Sequence, residues 1–268
     1  MRDAEAKFRE RGIGLAAVSY DSEAILKDFS DRQHIGYPLL ADPQSEIIKS
    51  FGVLNQEATG FTRGMSHPGY FYLGRDGTIK ERFFEGAYTD RFTANNLLGK
   101  IFPELIEGTG REVVTPYIHV DLRQSDRVVI PGSRVTLHVD ISLPQDVHVY
   151  APEVTGYKPV KLEIDPAPEF SVRAARYPKS KVLYLKAINE KVPVFEGEFH
   201  IAQDVVVTAS REFTSSAGEG RGIKIQGRLF YQACNSTVCF QPKEAPLAWD
   251  LQVLPLDRQR APEAIRHK

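Results

Sequence analysis

Arg134-Val-Thr-Leu-His-Val-Asp-Ile-Ser-Leu143 decides the fold of the second half of this chain, because polar and apolar residues alternate along it. A period of two puts every second side chain on the same face of a β-strand, so the stretch predicts a half-buried strand. Similar alternation recurs at residues 160–164, 195–201, 223–231 and 247–253. Proline and glycine clusters separate these runs, and no convincing helical pattern lies between residues 117 and 255. The second half is therefore predicted to be an antiparallel sandwich.

The only two cysteines lie in the stretch Leu229-Phe-Tyr-Gln-Ala-Cys-Asn-Ser-Thr-Val-Cys-Phe-Gln-Pro242. Cys234 ends a predicted strand, and Cys239 follows after a turn that can bring the two Cβ atoms together. Spacing alone leaves a redox-active pair, an inert structural disulfide and two free thiols open. A disulfide across so short a loop stabilises a fold by only about 2 kcal/mol. A zinc site is disfavoured because two cysteines supply half of a tetrahedral shell and no histidine stands at a ligand spacing nearby.

The residues around the cysteines also carry a family resemblance. They are Tyr231-Gln-Ala-Cys234, Cys239-Phe-Gln-Pro242, Ala245-Pro-Leu247 and, upstream, Val147-His-Val-Tyr-Ala-Pro152. Together they resemble the N-terminal domain of the thiol:disulfide interchange protein DsbD, over roughly residues 117–255. The resemblance implies an immunoglobulin-like sandwich whose cysteine pair accepts electrons from a thioredoxin-like partner and passes them to other extracytoplasmic proteins.

The same resemblance implies roles for individual residues. Cys239 would form the mixed disulfide and Cys234 would resolve it. An aromatic side chain would cap the disulfide, and Tyr150 and Tyr157 are the candidates, although an exposed tyrosine is the simpler interpretation of each. Tyr231 belongs to the cysteine motif itself. No histidine or lysine lies between the cysteines, so we expect a passive pair whose partner brings the activated thiol.

The first hundred residues show a different pattern, in the order α-β-α-(β)-α-β-β-α. We predict an opening helix with Met1, Ala4 and Phe8 near one face, and a strand at 14–19 buried on both faces. The remaining predicted elements are a helix carrying Ile25, Leu26 and Phe29, an extended piece at 37–40, a helix at 44–51 with Ile47, Ile48 and Phe51 inward, a hairpin at 70–73 and 78–84, and a helix from Thr89 or Asp90 to Ile101.

Four segments of this half, at residues 11–21, 37–43, 51–54 and 67–73, carry a second resemblance. Together they resemble the peroxiredoxin (AhpC/TSA) branch of the thioredoxin fold, over roughly residues 1–105. Pro68 stands where that fold usually has a cis-proline, so we expect a cis peptide bond there. The chain departs from the family in having no cysteine between Met1 and Ala233. A peroxidatic cycle needs a thiolate, so this half is predicted to be inactive as a peroxidase.

The first half also lacks a strand expected between residues 14–19 and 70–73. We interpret this as an N-terminally truncated sequence rather than a relict domain, because a sheet without its middle strand leaves backbone groups unpaired. The predicted organisation is an incomplete thioredoxin-like α/β domain at residues 1–105, a linker at 106–116, an all-β immunoglobulin-like domain at 117–255 and a polar tail at 256–268.

Composition narrows the function classes. The net charge of −1 and the absence of a basic stripe argue against a nucleic-acid partner, and no apolar run is long enough to cross a membrane. No cofactor and no metal is predicted. The resemblance implies a periplasmic or otherwise extracytoplasmic protein, whereas the charged N-terminus is not a secretory signal, so the cytoplasm stays an alternative. The hypotheses are a thiol–disulfide oxidoreductase, with a thioredoxin-like or DsbD-like partner, and a non-catalytic binding module with a structural disulfide.

Overall fold

The computed structural model describes residues 1–87, 89–106, 108–185, 189–216, 221–257 and 259–266. The chain divides into two compact units. The first consists of Met1–Ala94 with Leu256–Lys268, and the second consists of Asn95–Pro255. Each unit is described by itself below.

The first unit alternates helices and strands in the predicted order. Its elements are α1 (Glu5–Glu10), β1 (Ala17–Ser19), α2 (Glu23–Gln33), β2 (Leu39–Ala41), α3 (Glu46–Ser50), β3 (Gly69–Leu73), β4 (Ile79–Phe84) and β5 (Arg91–Phe92). β1 and β2 pair in parallel, and β3 and β4 form the predicted antiparallel hairpin. Within the described ranges these two-stranded sheets do not join each other.

The expected burial in this unit is partly wrong. The first strand was expected to be buried on both faces, but Val18 is 39% exposed, because β1 has only β2 beside it among the described residues. Ile47 and Phe51 are also about as exposed, and only Ile48 of that helix is buried. A helix of five residues on a two-stranded sheet has room to bury a single stripe of side chains.

Two further expectations for the first unit are wrong. The His67–Pro68 bond is trans, since no cis peptide bond occurs among the described residues. The trans form is the intrinsically favoured isomer, and here Pro68 leads directly into β3 with its carbonyl accepting from Glu85 N. The predicted free tail at 256–268 instead belongs to this compact unit, where Gln33 Nε2 donates to Asp257 Oδ2 at 2.6 Å. Residues 258, 267 and 268 of that tail lie outside the described residues.

The second unit is almost entirely β. Its elements are α4 (Ala94–Ile101), β6 (Gly108–Val114), β7 (His119–Gln124), β8 (Val128–Val129), β9 (Ser133–Ser142), β10 (His148–Tyr150), β11 (Lys161–Ile164), β12 (Phe170–Arg176), β13 (Lys181–Leu185), β14 (Glu190–Glu196), β15 (Glu198–Val207), α5 (Arg211–Ser216), β16 (Arg221–Tyr231), β17 (Ala233–Cys234) and β18 (Lys243–Val253).

These strands form an immunoglobulin-like sandwich. One sheet has the strand order β12-β15-β9-β7-β6, a second has β11-β16-β18-β8, and a third has β13-β14-β10-β17. The quoted stretch around Leu137 is β9, in the middle of the first sheet, with Leu137 and Val139 fully buried. Trp249 is fully buried in the same core, and its Nε1 donates to the carbonyl of Arg123 at 3.2 Å. The alternating sequence therefore packs as predicted.

Four details of the second unit correct the sequence-based prediction. The predicted linker at 106–116 contains β6, whose residues pair with β7. The predicted strand at 195–201 is two strands in different sheets, because Gly197, with φ +65°, turns the chain from β14 into β15. The short helix α5 was not predicted; Ser210 caps it by accepting from Phe213 N. The helix expected from Thr89 or Asp90 begins at Ala94, because Arg91–Phe92 form β5.

Candidate functional site

The two cysteines lie on either side of a tight turn that follows β17. Cys234 and Cys239 face each other in an antiparallel bridge and are joined by a disulfide, with the sulfur atoms 2.10 Å apart. The side chain of Asn235 fixes the turn by accepting from Val238 N at 2.8 Å and from Thr237 N at 2.9 Å. Asparagine makes such bonds to the backbone ahead of it readily, so the local sequence specifies this turn.

Strand alternation places the disulfide outside the main core. β10 runs between β14 and β17, with Val149 opposite Ala233 and His148 opposite Cys234. Val149 and Ala233 point into the sandwich core. Cys234 instead packs in a separate small apolar cluster with Tyr150, Val192 and Val194. We call the side of the sheet that carries His148, Tyr150, Val192, Val194 and Cys234 its outer face.

The two sulfur-bearing residues differ sharply in exposure. Cys234 is completely buried, whereas Cys239 is exposed at the end of the turn, next to Val238, which is 49% exposed. Thiol–disulfide exchange proceeds by attack along an accessible path to one sulfur. Of the two sulfur-bearing residues, Cys239 is therefore the one that an external thiolate can approach.

Tyr150 lies directly beside the disulfide. Its hydroxyl is 3.5 Å from Cys239 Sγ, and the residue is only 1% exposed. Its ring stacks on Tyr157 at a centroid distance of 4.4 Å, and the Tyr157 hydroxyl donates to Glu190 Oε2 at 2.6 Å. The structure thus brings both candidate tyrosines to the site, and the simpler interpretation of Tyr150 as an exposed residue is wrong because alternation along β10 turns it toward the sulfur.

Both phenols keep their protons near neutral pH. Burial, followed by the negative charge of Glu190, raises the pKa of Tyr150 above its ordinary value. The hydrogen bond to the Glu190 carboxylate is the main cause that raises the pKa of Tyr157 to about 12. Tyr150 therefore presents an O–H donor to Cys239 rather than a phenolate.

His148 is a site residue that the sequence reasoning missed. That reasoning searched for histidine between the cysteines and at ligand spacings, whereas the cross-strand register brings His148 opposite Cys234. The residue is 4% exposed, and in the part of the chain that the structure describes its Nε2 has no hydrogen-bond partner. Burial lowers the pKa of His148, so its ring is neutral near pH 7. The alternation of His148 with Tyr150 in the sequence was the available signal.

Two other predicted site residues lie elsewhere. Tyr231 points into the sandwich core, and its hydroxyl is 2.7 Å from Thr115 Oγ1. It supports the strand that leads to the cysteines and does not line the outer face. Pro68 belongs to the first compact unit. The disulfide site therefore consists of Cys234, Cys239 and Tyr150 among the predicted residues.

One set of side chains in the described part of the chain has the geometry to hold a metal ion. Glu112, His119 and Asp121 place their ligand atoms within 4.8 Å of one another, on β6 and β7. Glu112 and Asp121 also line a cavity of about 690 Å³, together with Arg111 and Arg123. In the structure His119 Nε2 lies 3.4 Å from Asp121 Oδ2 and 3.7 Å from Glu112 Oε2.

Comparison with known proteins finds that each half of the chain matches a different family model. Residues 1–82 match the AhpC/TSA family, and residues 120–248 match the N-terminal domain of the thiol:disulfide interchange protein DsbD. Both resemblances predicted from the sequence are therefore confirmed. The two families correspond to a thioredoxin-like domain and an immunoglobulin-like sandwich.

Individual relatives are distant. A 1-Cys peroxiredoxin B of Oryza sativa subsp. indica is 26% identical over 133 residues, which cover 47% of this chain and 58% of the rice protein. The N-terminal periplasmic domain of ScsB from Proteus mirabilis aligns over 57% of this chain and 54% of its own, at 12% identity and a TM-score of 0.36. The reduced DsbD N-terminal domain of Neisseria meningitidis aligns over 42% of this chain and 74% of its own, at 16% identity and a TM-score of 0.28.

The chain thus spans little more than half the length of the curated relative and of the ScsB domain. Across the described ranges, no helix combines the length and the apolar character that a membrane crossing requires.

Proposed function

We propose that this chain is a thiol–disulfide exchange protein whose Cys234–Cys239 pair relays electrons. The observation that carries the proposal is the contrast between the two cysteines of one disulfide, with Cys239 exposed and Cys234 completely buried. A purely structural disulfide does not require this difference in exposure, whereas exchange requires one sulfur that is open to attack and one that leaves. The match of residues 120–248 to the DsbD N-terminal family supports the same conclusion.

The exchange begins when the thiolate of a reduced partner attacks Cys239 Sγ. A new sulfur–sulfur bond joins the partner to Cys239, the Cys234–Cys239 bond breaks, and its electron pair leaves on Cys234. A second thiol of the partner then attacks the partner's own sulfur in the mixed disulfide and releases Cys239 as a thiolate. The partner ends as a disulfide, and two electrons and two protons reside on Cys234 and Cys239. The reduced pair passes its electrons on by the reverse sequence.

Tyr150 serves this cycle as a hydrogen-bond donor. Its hydroxyl lies 3.5 Å from Cys239 Sγ and stays protonated, so it stabilises negative charge as Cys239 is released. Tyr157 stacks on Tyr150 and is anchored by Glu190. The two rings form the aromatic cap that the family resemblance implies, and they pack over Cys234 while leaving Cys239 open to a partner.

The partner is a thioredoxin-like or DsbD-like protein, because such a protein brings the activated thiol that the cysteine turn lacks. Residues 1–82 match the AhpC/TSA family but contain no cysteine. Within this sequence we therefore assign peroxide reduction to no residue of the first half and place all thiol chemistry at Cys234 and Cys239. We also propose an extracytoplasmic compartment, where a disulfide forms and persists.

A trapping experiment tests the proposal. The oxidised full-length protein is mixed with a thioredoxin that keeps its attacking cysteine and has lost its resolving one, and the adduct is mapped by peptide mass spectrometry. We expect one mixed disulfide, at Cys239. Matched single variants extend the test: Cys234→Ser, which keeps Cys239, should react with an activated thioredoxin disulfide at least tenfold faster than Cys239→Ser does.

The outcomes separate the two hypotheses. If wild type forms no adduct and an intact thioredoxin does not reduce it, the pair is a structural disulfide and the chain is a binding module. An adduct at Cys234 would keep the redox function but overturn the assigned order of the two sulfurs. Equal reactivity of the two single variants would show that burial of Cys234 does not direct the exchange.

A further inference from the structure

His148 occupies a position that the exchange chemistry described above does not use. It lies on the outer face, directly opposite Cys234 on the neighbouring strand, so its side chain projects to the same side of the sheet as the buried sulfur. On the other flank it faces Glu196 of β14, and its ring meets the Tyr150 ring edge-on at 5.6 Å. Its Nε2 is buried and, while the disulfide is closed, has no hydrogen-bond partner among the described residues.

An unpartnered buried nitrogen at this position requires an explanation, since buried polar atoms are nearly always paired. A closed disulfide offers Nε2 no proton and no negative charge to pair with. Opening the disulfide changes Cys234 into a thiolate or a thiol, both of which hydrogen-bond. We infer that His148 is the hydrogen-bond partner of Cys234 in the reduced protein, and that it shifts the equilibrium of the pair toward the dithiol. This inference rests on the exchange function proposed above.

The step balances without a further reactant. When the partner thiolate attacks Cys239, the electron pair of the broken bond comes to rest on the Cys234 sulfur, away from water. A neutral imidazole pairs with this sulfur in both of its states: an Nε2–H donates to the thiolate, and an unprotonated Nε2 accepts from the thiol once the second proton of the reduction has arrived. The Nε2 of His148 therefore gains a hydrogen-bond partner only when the cysteine pair is reduced.

The charges around His148 leave its ring neutral. Glu196 is the acidic group that faces it, from β14, and favours the protonated ring, but burial outweighs this and keeps the pKa of His148 below its ordinary value. Tyr150, on the same strand, retains its proton. A neutral ring responds to the state of the sulfur by hydrogen bonding rather than by charge repulsion.

The chain provides a matched control in His138. This histidine of β9 is also buried, at 7% exposure, and also has an Nε2 without a hydrogen-bond partner. Its Nδ1 pairs with His200 Nε2 at 3.0 Å, in a sheet that does not contain the cysteines. Replacing His138 removes the same kind of orphaned atom without touching the disulfide.

The experiment measures the equilibrium between the full-length protein and a dithiothreitol redox buffer, with the thiol state read by alkylation and mass. We expect the equilibrium constant for reduction to fall about tenfold in His148→Leu, which corresponds to a reduction potential lower by about 30 mV for this two-electron couple. His148→Gln, which keeps a side-chain donor, should stay within about threefold of wild type. His138→Leu should leave the constant unchanged.

The inference is overturned if His148→Leu has the wild-type equilibrium constant, or if His138→Leu shifts it by the same amount. Should His148→Leu fail to fold, as judged by circular dichroism, His148→Met carries the same prediction and His148→Gln still tests the donor. Failure of the exchange function itself would look different, because the wild-type disulfide would then exchange with no thioredoxin-like protein.

Discussion

Around β10, the two faces of the β13-β14-β10-β17 sheet are equally buried but carry different side chains. On the inner side Val149, Phe195 and Ala233 are each at most 3% exposed and belong to the main core. On the outer face Tyr150 and Cys234 are just as inaccessible, yet they carry a hydroxyl and a disulfide sulfur. Burial therefore does not distinguish structure from chemistry in this sheet. The distinction comes from what covers each face: the main sandwich core on one side, and Tyr157 with Val154, Leu183 and Leu185 on the other.

Substitutions on the inner face should change the stability of the fold but not its thiol chemistry. Phe195 is 3% exposed and stacks on Phe199 at 4.7 Å, so Phe195→Ala should lower the free energy of unfolding by about 3–5 kcal/mol. The reduction potential of the cysteine pair in this variant should stay at the wild-type value. Urea denaturation and thiol equilibration measure the two quantities. Val182→Ala is the control, since Val182 is 72% exposed and should cost less than about 0.5 kcal/mol.

A buried charge in another sheet sharpens the comparison. Asp204 of β15 is 3% exposed and binds Arg134 at 3.1 Å, Arg176 at 2.9 Å and Thr136 Oγ1 at 2.6 Å. Asp204→Asn should destabilise the fold by about 3 kcal/mol, because it removes the buried carboxylate that pairs with Arg134, whose side chain is only 12% exposed. The redox equilibrium should not change. A variant that loses exchange as well as stability would contradict the separation of the two faces.

The same carboxylate predicts a pH dependence. Burial by itself would raise the pKa of Asp204, but the hydrogen bond from Arg176 and the charge of Lys100 outweigh it, so this pKa lies below its ordinary value. Its contribution to stability is therefore fully present above the ordinary pKa of about 4 and is lost as the pH falls below that value toward the lowered pKa. Unfolding curves recorded from pH 6 downward should show this loss in wild type and a smaller one in Asp204→Asn.

The disulfide itself should matter more for chemistry than for stability. It closes a short loop, so the double variant Cys234→Ser/Cys239→Ser should lose only about 2 kcal/mol of unfolding free energy while losing all thiol exchange. Reduced wild type is the appropriate reference, because it separates the missing bond from the two substitutions. A loss as large as that of Phe195→Ala would show that the pair is chiefly a structural element.

The smallest effect concerns the hydroxyl beside Cys239. Tyr150→Phe keeps the ring stacked on Tyr157 and removes one donor, which is worth about 1 kcal/mol, so exchange with thioredoxin should slow by about fivefold. Tyr231→Phe is the control: it also removes a hydroxyl, but one that hydrogen-bonds to Thr115 and not to the cysteines. The exchange rate of this variant should equal that of wild type. Stopped-flow tryptophan fluorescence of the thioredoxin follows both reactions.

The sequence predicts the sandwich well, because the alternation of polar and apolar residues shows directly which residues share a face of a strand. It also locates Cys234 and Cys239 on a turn. It does not reveal His148, because the nearness of His148 to Cys234 depends on the register between β10 and β17, and those strands are separated by 82 residues between Tyr150 and Ala233. Pairing between distant strands is decided by the packing of the whole sheet rather than by any local pattern.

The errors in the first half have a different origin. The run around Val18 reads as a doubly buried strand, since apolar runs are typical of strands covered on both sides. Exposure depends on the neighbours a strand finds, and β1 pairs only with β2 among the described residues. Likewise, the bend at Gly197 splits one alternating run into two sheets, because a positive φ interrupts the strand without changing the alternation of residues.

The turn held by Asn235 determines how the pair behaves after it opens. The bonds from Thr237 N and Val238 N to Asn235, and from Phe240 N to the carbonyl of Ala233, involve neither sulfur. We expect the turn to persist when the disulfide is reduced, so each thiol stays within reach of the other at a high effective concentration. If a small thiol such as glutathione forms a mixed disulfide with Cys239, the Cys234 thiol of the same molecule can then attack Cys239 and release the small thiol. The Cys234–Cys239 disulfide forms again without a second enzyme.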